Sequence, residues 1–217
     1  MYVPAHFRMD DPAEVDSFLA AHPAGQLVTV GPDGTPDATL LPYLLDRSSD
    51  GEGGWRVLAH FARANDHWRR IADGASGLFV VTSANAYVSP SWYASKREHG
   101  RVVPTWNYSA VHLRGALRVH DDTDWLRELV TRLTDAHEAG RDPRWRVTDA
   151  PERYVEGQLR AIVGVELVVE QVEAKAKLSQ NRSVEDRLGT IAGLEAESSS
   201  PPHDLATAIR AVTPEAG

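Results

Sequence analysis

The alternation of apolar and polar residues predicts a chain built mainly of β-strands. It is clearest after Pro104, where Asn107 and Val111 share one strand face while Trp106 and Tyr108 share the other. Six further runs either show this period of two or are short and apolar, and most of them are bounded by turn-forming residues. The predicted strands are Gln26–Val30, Thr35–Leu45, Trp55–Phe61, Leu78–Thr82, Ala86–Ser89, the run beginning at Pro104, and Ile162–Val172.

A helical period predicts one long helix between Asp121 and Gly140, where apolar residues recur every three to four positions. Shorter helices are predicted after Asp10, after Asn65, around 151–159 and after Ser183. Seven closely spaced strands with one long helix predict an antiparallel β-barrel with helices packed outside, a mainly β fold of the α+β class. We expect one domain over residues 1–194 and a flexible tail over 195–217, with only a short helix near Leu205–Val212.

The densest group of polar aromatic and basic residues lies between Ala86 and His112. Trp106, Tyr108 and His112 fall on one face of a single predicted strand and form a flat, half-polar wall. Such a wall suits a planar aromatic ligand, and the basic loop containing Lys96, Arg97 and Arg101 suits an anionic group on that ligand. The alternative remains open that the aromatic residues belong to the core and that the cations are simply solvated.

Composition narrows the classes of function. The 217 residues include no cysteine, which excludes disulfides, thiolate catalysis, zinc fingers and iron–sulfur clusters. No apolar run is long enough for a transmembrane helix and no signal peptide is recognisable, so we expect a cytoplasmic protein without a membrane partner. The net charge of −8 makes direct DNA binding doubtful, because that binding depends on clustered Lys and Arg.

No catalytic motif is recognisable, so the sequence leaves open whether the protein is an enzyme. Any chemistry would belong to a bound cofactor that the protein orients. A small-molecule ligand is compatible with this pattern.

Four segments, HFARAN-x-x-W, AYVSPSWY, GRVVPTWNYSAVH and KLSQNR, resemble the PaiB-type FMN-binding negative transcriptional regulators. The resemblance extends from about Met1 to Leu194 and keeps the four segments in the expected order. It implies an FMN-binding split β-barrel in which two subunits pair and FMN lies in the groove between them. It also implies a role in repressing genes for degradative enzymes and sporulation, through the bound cofactor.

One departure from the family lies on the second strand, where the usual Thr-His-Leu-Pro is replaced by Thr39-Leu40-Leu41-Pro42. An imidazole able to face the cofactor is thereby replaced by an apolar side chain, which puts cofactor affinity or type in doubt. Thr39 and Pro42 remain candidate cofactor contacts.

The chain also resembles piperazate synthases at HFARAN, where the histidine that opens the segment ligates haem iron. His60 holds that position, so a haem enzyme that forms N–N bonds, with His60 as axial ligand, is an alternative to FMN. An FMN-dependent oxidoreductase of small molecules is a second alternative. No metal ligand other than His60 is predicted.

The FMN phosphate needs cations and hydroxyls, and the KLSQNR segment offers both. Gln180 and Asn181 add donors beside these cations, which favours this segment over the loop with Lys96, Arg97 and Arg101. Asn65 serves either as a helix cap or as a ligand contact. The remaining candidates for cofactor binding are Trp92, Trp106, Asn107, His112, Lys177, Ser179 and Arg182.

Overall fold

The computed structural model describes residues 1–47, 54–197 and 200–214, which form seven β-strands and six α-helices. Short 3₁₀ turns occur between these elements, for example over Asp66–Arg70 and Pro90–Trp92. The strands are β1 Ala24–Val30, β2 Pro36–Arg47, β3 Trp55–Ala62, β4 Ser76–Thr82, β5 Ala86–Val88, β6 Thr105–His120 and β7 Ile162–Lys177. The helices are α1 Pro12–Ala21, α2 Ser95–His99, α3 Thr123–Glu138, α4 Glu152–Leu159, α5 Val184–Glu195 and α6 Ser200–Ala211.

Six of the strands close into an antiparallel barrel. The strand order is β4-β1-β2-β3-β7-β6, and an additional β4–β6 pairing joins the two ends. The short β5 pairs with the start of β6 and lies outside this ring. Closure leaves the six barrel strands without a free edge, and the antiparallel barrel with packed helices predicted from the sequence is confirmed.

The period of two in β3 and β7 separates the barrel interior from its outer surface. Residues facing the interior are almost completely buried and stand opposite one another in the register. On the outer face, Leu58 packs with Leu129 and Leu133 of α3. Glu166, which the sequence pattern places on the outer face, is also buried and lies within hydrogen-bonding distance of His120, at 2.8 Å. The interior pairs are Val57–Leu167, Ala59–Val165 and Phe61–Val163.

The long helix α3 matches the predicted one and begins at a capped end. The Asp122 carboxylate accepts a hydrogen bond from the Trp125 N–H at 2.8 Å. Leu126 of α3 packs with Val155 and Leu159 of α4, so these two helices share one apolar cluster. Two helices therefore cover part of the outer barrel surface that β3 and β7 would otherwise expose.

The chain divides into two compact units. One unit comprises residues 18–81 and 112–172 and contains β1 to β4, α3, α4 and the adjoining parts of β6 and β7. The other comprises residues 1–17, 82–111 and 173–217 and contains β5, α2, α5, α6 and the remaining parts of the two long strands. We call them the barrel unit and the terminal unit.

Two predictions for the C-terminal part of the terminal unit need correction. The short helix expected near Leu205–Val212 is longer than predicted and forms α6, whose apolar stripe, Leu205, Ala206 and Ile209, is almost completely buried. The strand β7 continues to Lys177 instead of ending near Val172. The KLSQNR segment therefore begins inside a strand.

None of the helices in the described part of the chain is long and apolar enough to cross a membrane.

Candidate cofactor site

The aromatic face predicted for β6 is present in the terminal unit. Trp106 is 50% exposed and Tyr87, its direct partner on β5, is 48% exposed. The two rings meet edge to face with 6.4 Å between centroids, and the Trp106 indole N–H donates to Asn85 Oδ1 at 2.9 Å. An indole that neighbouring side chains hold in place and that keeps an exposed face is suited to stacking on a planar ligand. Tyr87 was not predicted, because the register that pairs it with Trp106 is not visible in the sequence.

The opposite face of β6 carries a buried polar pair. Asn107 is fully buried and donates through Nδ2 to the Ser179 hydroxyl at 2.7 Å. Ser179 adopts a left-handed backbone conformation with φ of 66°, which is uncommon outside glycine. Asn107 Oδ1 is buried and has no hydrogen-bond partner among the described residues. Trp106 and Asn107 thus lie on opposite faces, as predicted.

The loop after β7 is held together by its own side chains. Gln180 accepts from the Leu178 N–H at 2.8 Å and donates to the Ala176 carbonyl at 2.7 Å. Arg187 of α5 donates to the carbonyls of Arg182, at 3.1 Å, and of Gln180. The sequence argument that Gln180 is a spare ligand donor is therefore wrong, because its amide closes the loop. Arg187 was not predicted to have a role.

Three cations lie along the end of β7 and this loop. Lys177 donates to Thr105 Oγ1 at 2.6 Å, and burial, as the main cause, lowers its pKa. Lys175 is buried and donates to the Tyr108 hydroxyl at 2.9 Å. The Arg182 guanidinium lies 4.7 Å from the centroid of the Tyr93 ring, which fixes its position through a cation–π contact.

Trp92 has a packing role against α5. A Cβ atom added at Gly193 would come within 2.2 Å of the Trp92 indole, and one at Gly189 within 2.0 Å of the Trp92 carbonyl oxygen. The absence of a side chain at both glycines lets the helix approach the Pro90–Trp92 turn. The ring that was predicted to stack on a cofactor is thus already in contact with a helix.

In the barrel unit, Thr39 and Asn65 meet around a histidine that was not predicted. The His67 ring is hydrogen-bonded on both sides, with Nδ1 2.8 Å from Thr39 Oγ1 and Nε2 2.8 Å from Thr29 Oγ1. Asn65 caps the following turn by accepting from the His67 N–H at 3.0 Å, and its amide lies 3.4 Å from Thr39 Oγ1. Burial lowers the pKa of His67, which favours the neutral ring. The capping role of Asn65 is confirmed.

The altered Thr-Leu-Leu-Pro motif places Leu40 and Pro42 on the outer surface of β2. Leu40 is 64% exposed and Pro42 is exposed as well, whereas Leu41 between them is buried. Leu40 therefore presents an apolar side chain where the family usually has a histidine.

His60 lies in a separate group of residues from Thr39 and Asn65. It faces outward from β3, opposite Gly164 of β7, and lines a cavity of about 250 Å³ together with residues of α3 and α4. His112 is half-buried on the half-exposed face of β6. None of the other predicted cofactor residues lines the cavity at His60.

The cavity at His60 does not fit haem. An axial histidine normally has its second nitrogen oriented by a hydrogen bond, whereas the buried Nδ1 of His60 has no partner among the described residues. The side chains lining the cavity include no Lys or Arg that could pair with the haem propionates.

The terminal unit fits a flavin mononucleotide better. It combines an open indole face at Trp106 with the cations Lys177 and Arg182. These are the kinds of group that a planar ring system with a phosphate requires. Lys177, Ser179 and Arg182 would be the side chains nearest to the phosphate, and the flavin would supply any redox chemistry.

The barrel and its packed helices define a split-barrel fold. The fold matches the "FAD and Heme binding protein" from Mycobacterium smegmatis, with a TM-score of 0.56 and 20% identity over 78% of this chain and 73% of that one. It also matches a flavocytochrome from Azotobacter vinelandii, with a TM-score of 0.56 and 18% identity over 81% of this chain and 72% of that one.

Sequence comparison assigns the family. Residues 1–171 match the family described as "Putative FMN-binding domain". The chain is also 34% identical over 197 residues to "Protease synthase and sporulation protein PAI 2" of Bacillus subtilis, covering 91% of this chain and 90% of that protein. The chain therefore belongs to the PaiB-like FMN-binding family.

Proposed function

We propose that the protein binds FMN in the terminal unit, with the ring system against Trp106 and the phosphate at Lys177 and Arg182. The observation that carries this proposal is the half-exposed Trp106–Tyr87 pair in the same unit as two cations that surrounding groups already hold in place. An indole with a free face contributes about 1–3 kcal/mol to stacking with a planar base in comparable sites.

The phosphate is the group that distinguishes FMN from riboflavin. Arg182 is oriented by the Tyr93 ring and Lys177 by Thr105, so neither cation loses much side-chain freedom on binding. A hydrogen bond to a charged group contributes about 1.5–3 kcal/mol, which corresponds to roughly a 10- to 150-fold preference for FMN over riboflavin.

The experiment compares the affinities of FMN and riboflavin by quenching of flavin fluorescence. We expect wild type to prefer FMN, and Arg182→Ala and Lys177→Ala each to reduce this preference about tenfold with little change in riboflavin binding. Arg97→Ala is the matched control, because Arg97 is an exposed cation of the same unit and belongs to the rejected loop. Equal losses in Arg97→Ala and Arg182→Ala would reject the phosphate assignment.

Two copies of the chain pair through the exposed face of β1 and β2 in this proposal. Val30 is 62% exposed and Leu40 is 64% exposed, and Val28 lies directly opposite Ala38 on the same face. The helix α3 contacts this face of β2 at Leu44, near the end of the strand, while Leu40 stays exposed. A contiguous apolar surface of this kind is typical of an interface between subunits.

The oligomeric state is measured by sedimentation at several protein concentrations. We expect wild type to be a dimer and Leu40→Asp to be a monomer, because a carboxylate would be buried without a partner. Leu188→Asp, at a 48% exposed position of α5, is the control and leaves the dimer intact. A monomeric wild type contradicts this part of the proposal.

We also propose that the FMN-loaded protein acts in the cytoplasm as a negative regulator of transcription through a partner or ligand. The support is the similarity to PAI 2, whose name refers to protease synthesis and sporulation. The net charge of −8 argues against direct contact with DNA.

Expression profiling of a strain that lacks the gene tests the regulatory role. Transcripts that rise in this strain should return to normal with the wild-type gene and stay high with Arg182→Ala. If the gene for Arg182→Ala restores normal transcript levels completely, the regulatory role does not depend on FMN binding. In a mobility-shift assay at physiological salt, we expect no shift of promoter fragments.

A further inference from the structure

A second ligand site is indicated by the cavity between β3 and the helices α3 and α4. This cavity has a volume of about 250 Å³, close to the lower end of the range for small-molecule sites, roughly 300–1,000 Å³. It lies within the barrel unit, and the residues that line it are His60, Val130, Thr134, Trp145, Val147, Ala150, Tyr154, Val155, Gln158, Leu159 and Ile162.

The lining is mostly apolar, with no charged side chain other than the titratable His60. Burial lowers the pKa of His60, so the ring is neutral near pH 7 and has one donor and one acceptor nitrogen. Its Nδ1 is buried and has no hydrogen-bond partner in the described part of the chain. An unsatisfied buried polar group costs about 1–3 kcal/mol, which a ligand could recover.

The edge of the cavity carries two large aromatic residues with much of their surface in solvent. Trp145 is 47% exposed and Tyr154 is 60% exposed. Aromatic residues of this kind contribute large contact areas when a ligand covers them. Neither residue packs against the apolar clusters that hold α3 and α4 on the barrel, so covering them would not disturb the core.

We propose that this cavity binds a small, uncharged aromatic molecule with a single hydroxyl-type group that hydrogen-bonds to His60. The aromatic body contacts Trp145, Val147 and Tyr154, and the polar group meets the imidazole. An anionic ligand is disfavoured, because the lining offers no Lys or Arg. The site is independent of the FMN proposal, since no other predicted cofactor residue lines it.

The test uses p-cresol and p-xylene, which have nearly the same shape but differ in the hydroxyl group. Isothermal titration of the full chain should show p-cresol binding at one site per chain, about tenfold more tightly than p-xylene, as expected for one hydrogen bond. His60→Phe should bind the two compounds equally. His137→Phe changes an exposed histidine of α3 outside the cavity and should retain the tenfold preference.

A second variant tests the cavity without relying on His60. Ala150→Leu adds side-chain volume at the cavity wall and should abolish binding of both compounds, while circular dichroism checks that the variant is folded. The proposal is overturned if wild type shows no saturable p-cresol binding, if His60→Phe keeps the preference, or if Ala150→Leu binds normally. An intense Soret band on adding haemin that His60→Phe abolishes would also overturn it, because the cavity would then hold a porphyrin.

Discussion

Replacement of Gly193 by alanine tests how α5 positions the residues around Arg182. A Cβ at this position would lie 2.2 Å from Trp92 Cδ2 and 2.4 Å from two further indole atoms. These distances are far below the roughly 3.5–4.0 Å at which carbon atoms attract one another. Either Trp92 or the helix must move, and Tyr93, which follows Trp92, would carry its contact with Arg182 along.

The expected magnitude combines two opposing effects. Alanine is favoured over glycine inside a helix by about 1 kcal/mol. Overpacking in a well-packed region costs about 1–3 kcal/mol. Since the overlap with Trp92 exceeds 1 Å and involves a rigid ring, we expect the upper part of that range and a net loss of about 1–2 kcal/mol in the free energy of unfolding.

The assay is urea unfolding followed by circular dichroism, with Gly157→Ala as the matched control. The nearest atom to a Cβ at Gly157 of α4 is the flexible end of Arg160 at 4.0 Å, so this variant should gain about 0.5–1 kcal/mol. Gly193→Ala should also weaken FMN binding. If Gly193→Ala stabilises the protein as much as Gly157→Ala does, the packing of Trp92 on α5 is refuted.

Three further predictions concern buried groups. Burial holds the pKa of His67 below its ordinary value of 6.5. Below about pH 6.5, the unfolded chain therefore binds more protons than the folded chain. The free energy of unfolding consequently falls as the pH is lowered. In urea unfolding at pH 7.5 and 5.5, His67→Gln should reduce this fall, whereas His137→Gln should not. Leu205→Ala should lower the free energy of unfolding by about 2–5 kcal/mol in the same assay, whereas Leu188→Ala, at an exposed position, should change it little. If Leu205→Ala has no effect, the flexible tail expected from the sequence is supported instead. Asn107→Leu leaves the Ser179 hydroxyl without its donor and should cost about 1–3 kcal/mol, with faster proteolysis of the loop after β7 as a second readout.

The strands were predictable because their two faces differ in burial. Trp106 and Asn107 are adjacent in sequence, and the period of two alone places them on opposite faces; the structure exposes Trp106 and buries Asn107. The same period of two separates His60, which faces outward, from Phe61, which faces the interior. Barrel closure followed from the number and spacing of the strands and the absence of long crossover connections.

Other features depend on contacts that no local pattern encodes. Lys175 reads as a surface residue, but its stem is buried and its ammonium meets Tyr108, so the strand continues through it. In the sequence, Arg187 resembles any other cation on a helix, but its guanidinium donates hydrogen bonds to carbonyl groups of the preceding loop. His67 shows no sign in the sequence of its two hydroxyl partners, Thr29 and Thr39, because they come from two strands distant in the chain.

The departure at Leu40 shows that a motif in the sequence does not by itself tell a cofactor contact from an exposed residue of the fold. The loss of the histidine put cofactor affinity or type in doubt, while the resemblance at HFARAN raised haem as an alternative at His60. The structure places Leu40 on an exposed apolar strand face and His60 in a cavity without cations. The cofactor contacts that we propose are instead Trp106, Lys177 and Arg182.

The central claim is that the chain binds FMN and holds its phosphate, and the most direct measurement is the ratio of dissociation constants for riboflavin and FMN with the purified wild-type protein. We predict saturable binding of one FMN per chain and a ratio of roughly 10 to 150 at physiological ionic strength. A ratio near one, or flavin emission that does not change as protein is added, would contradict the account.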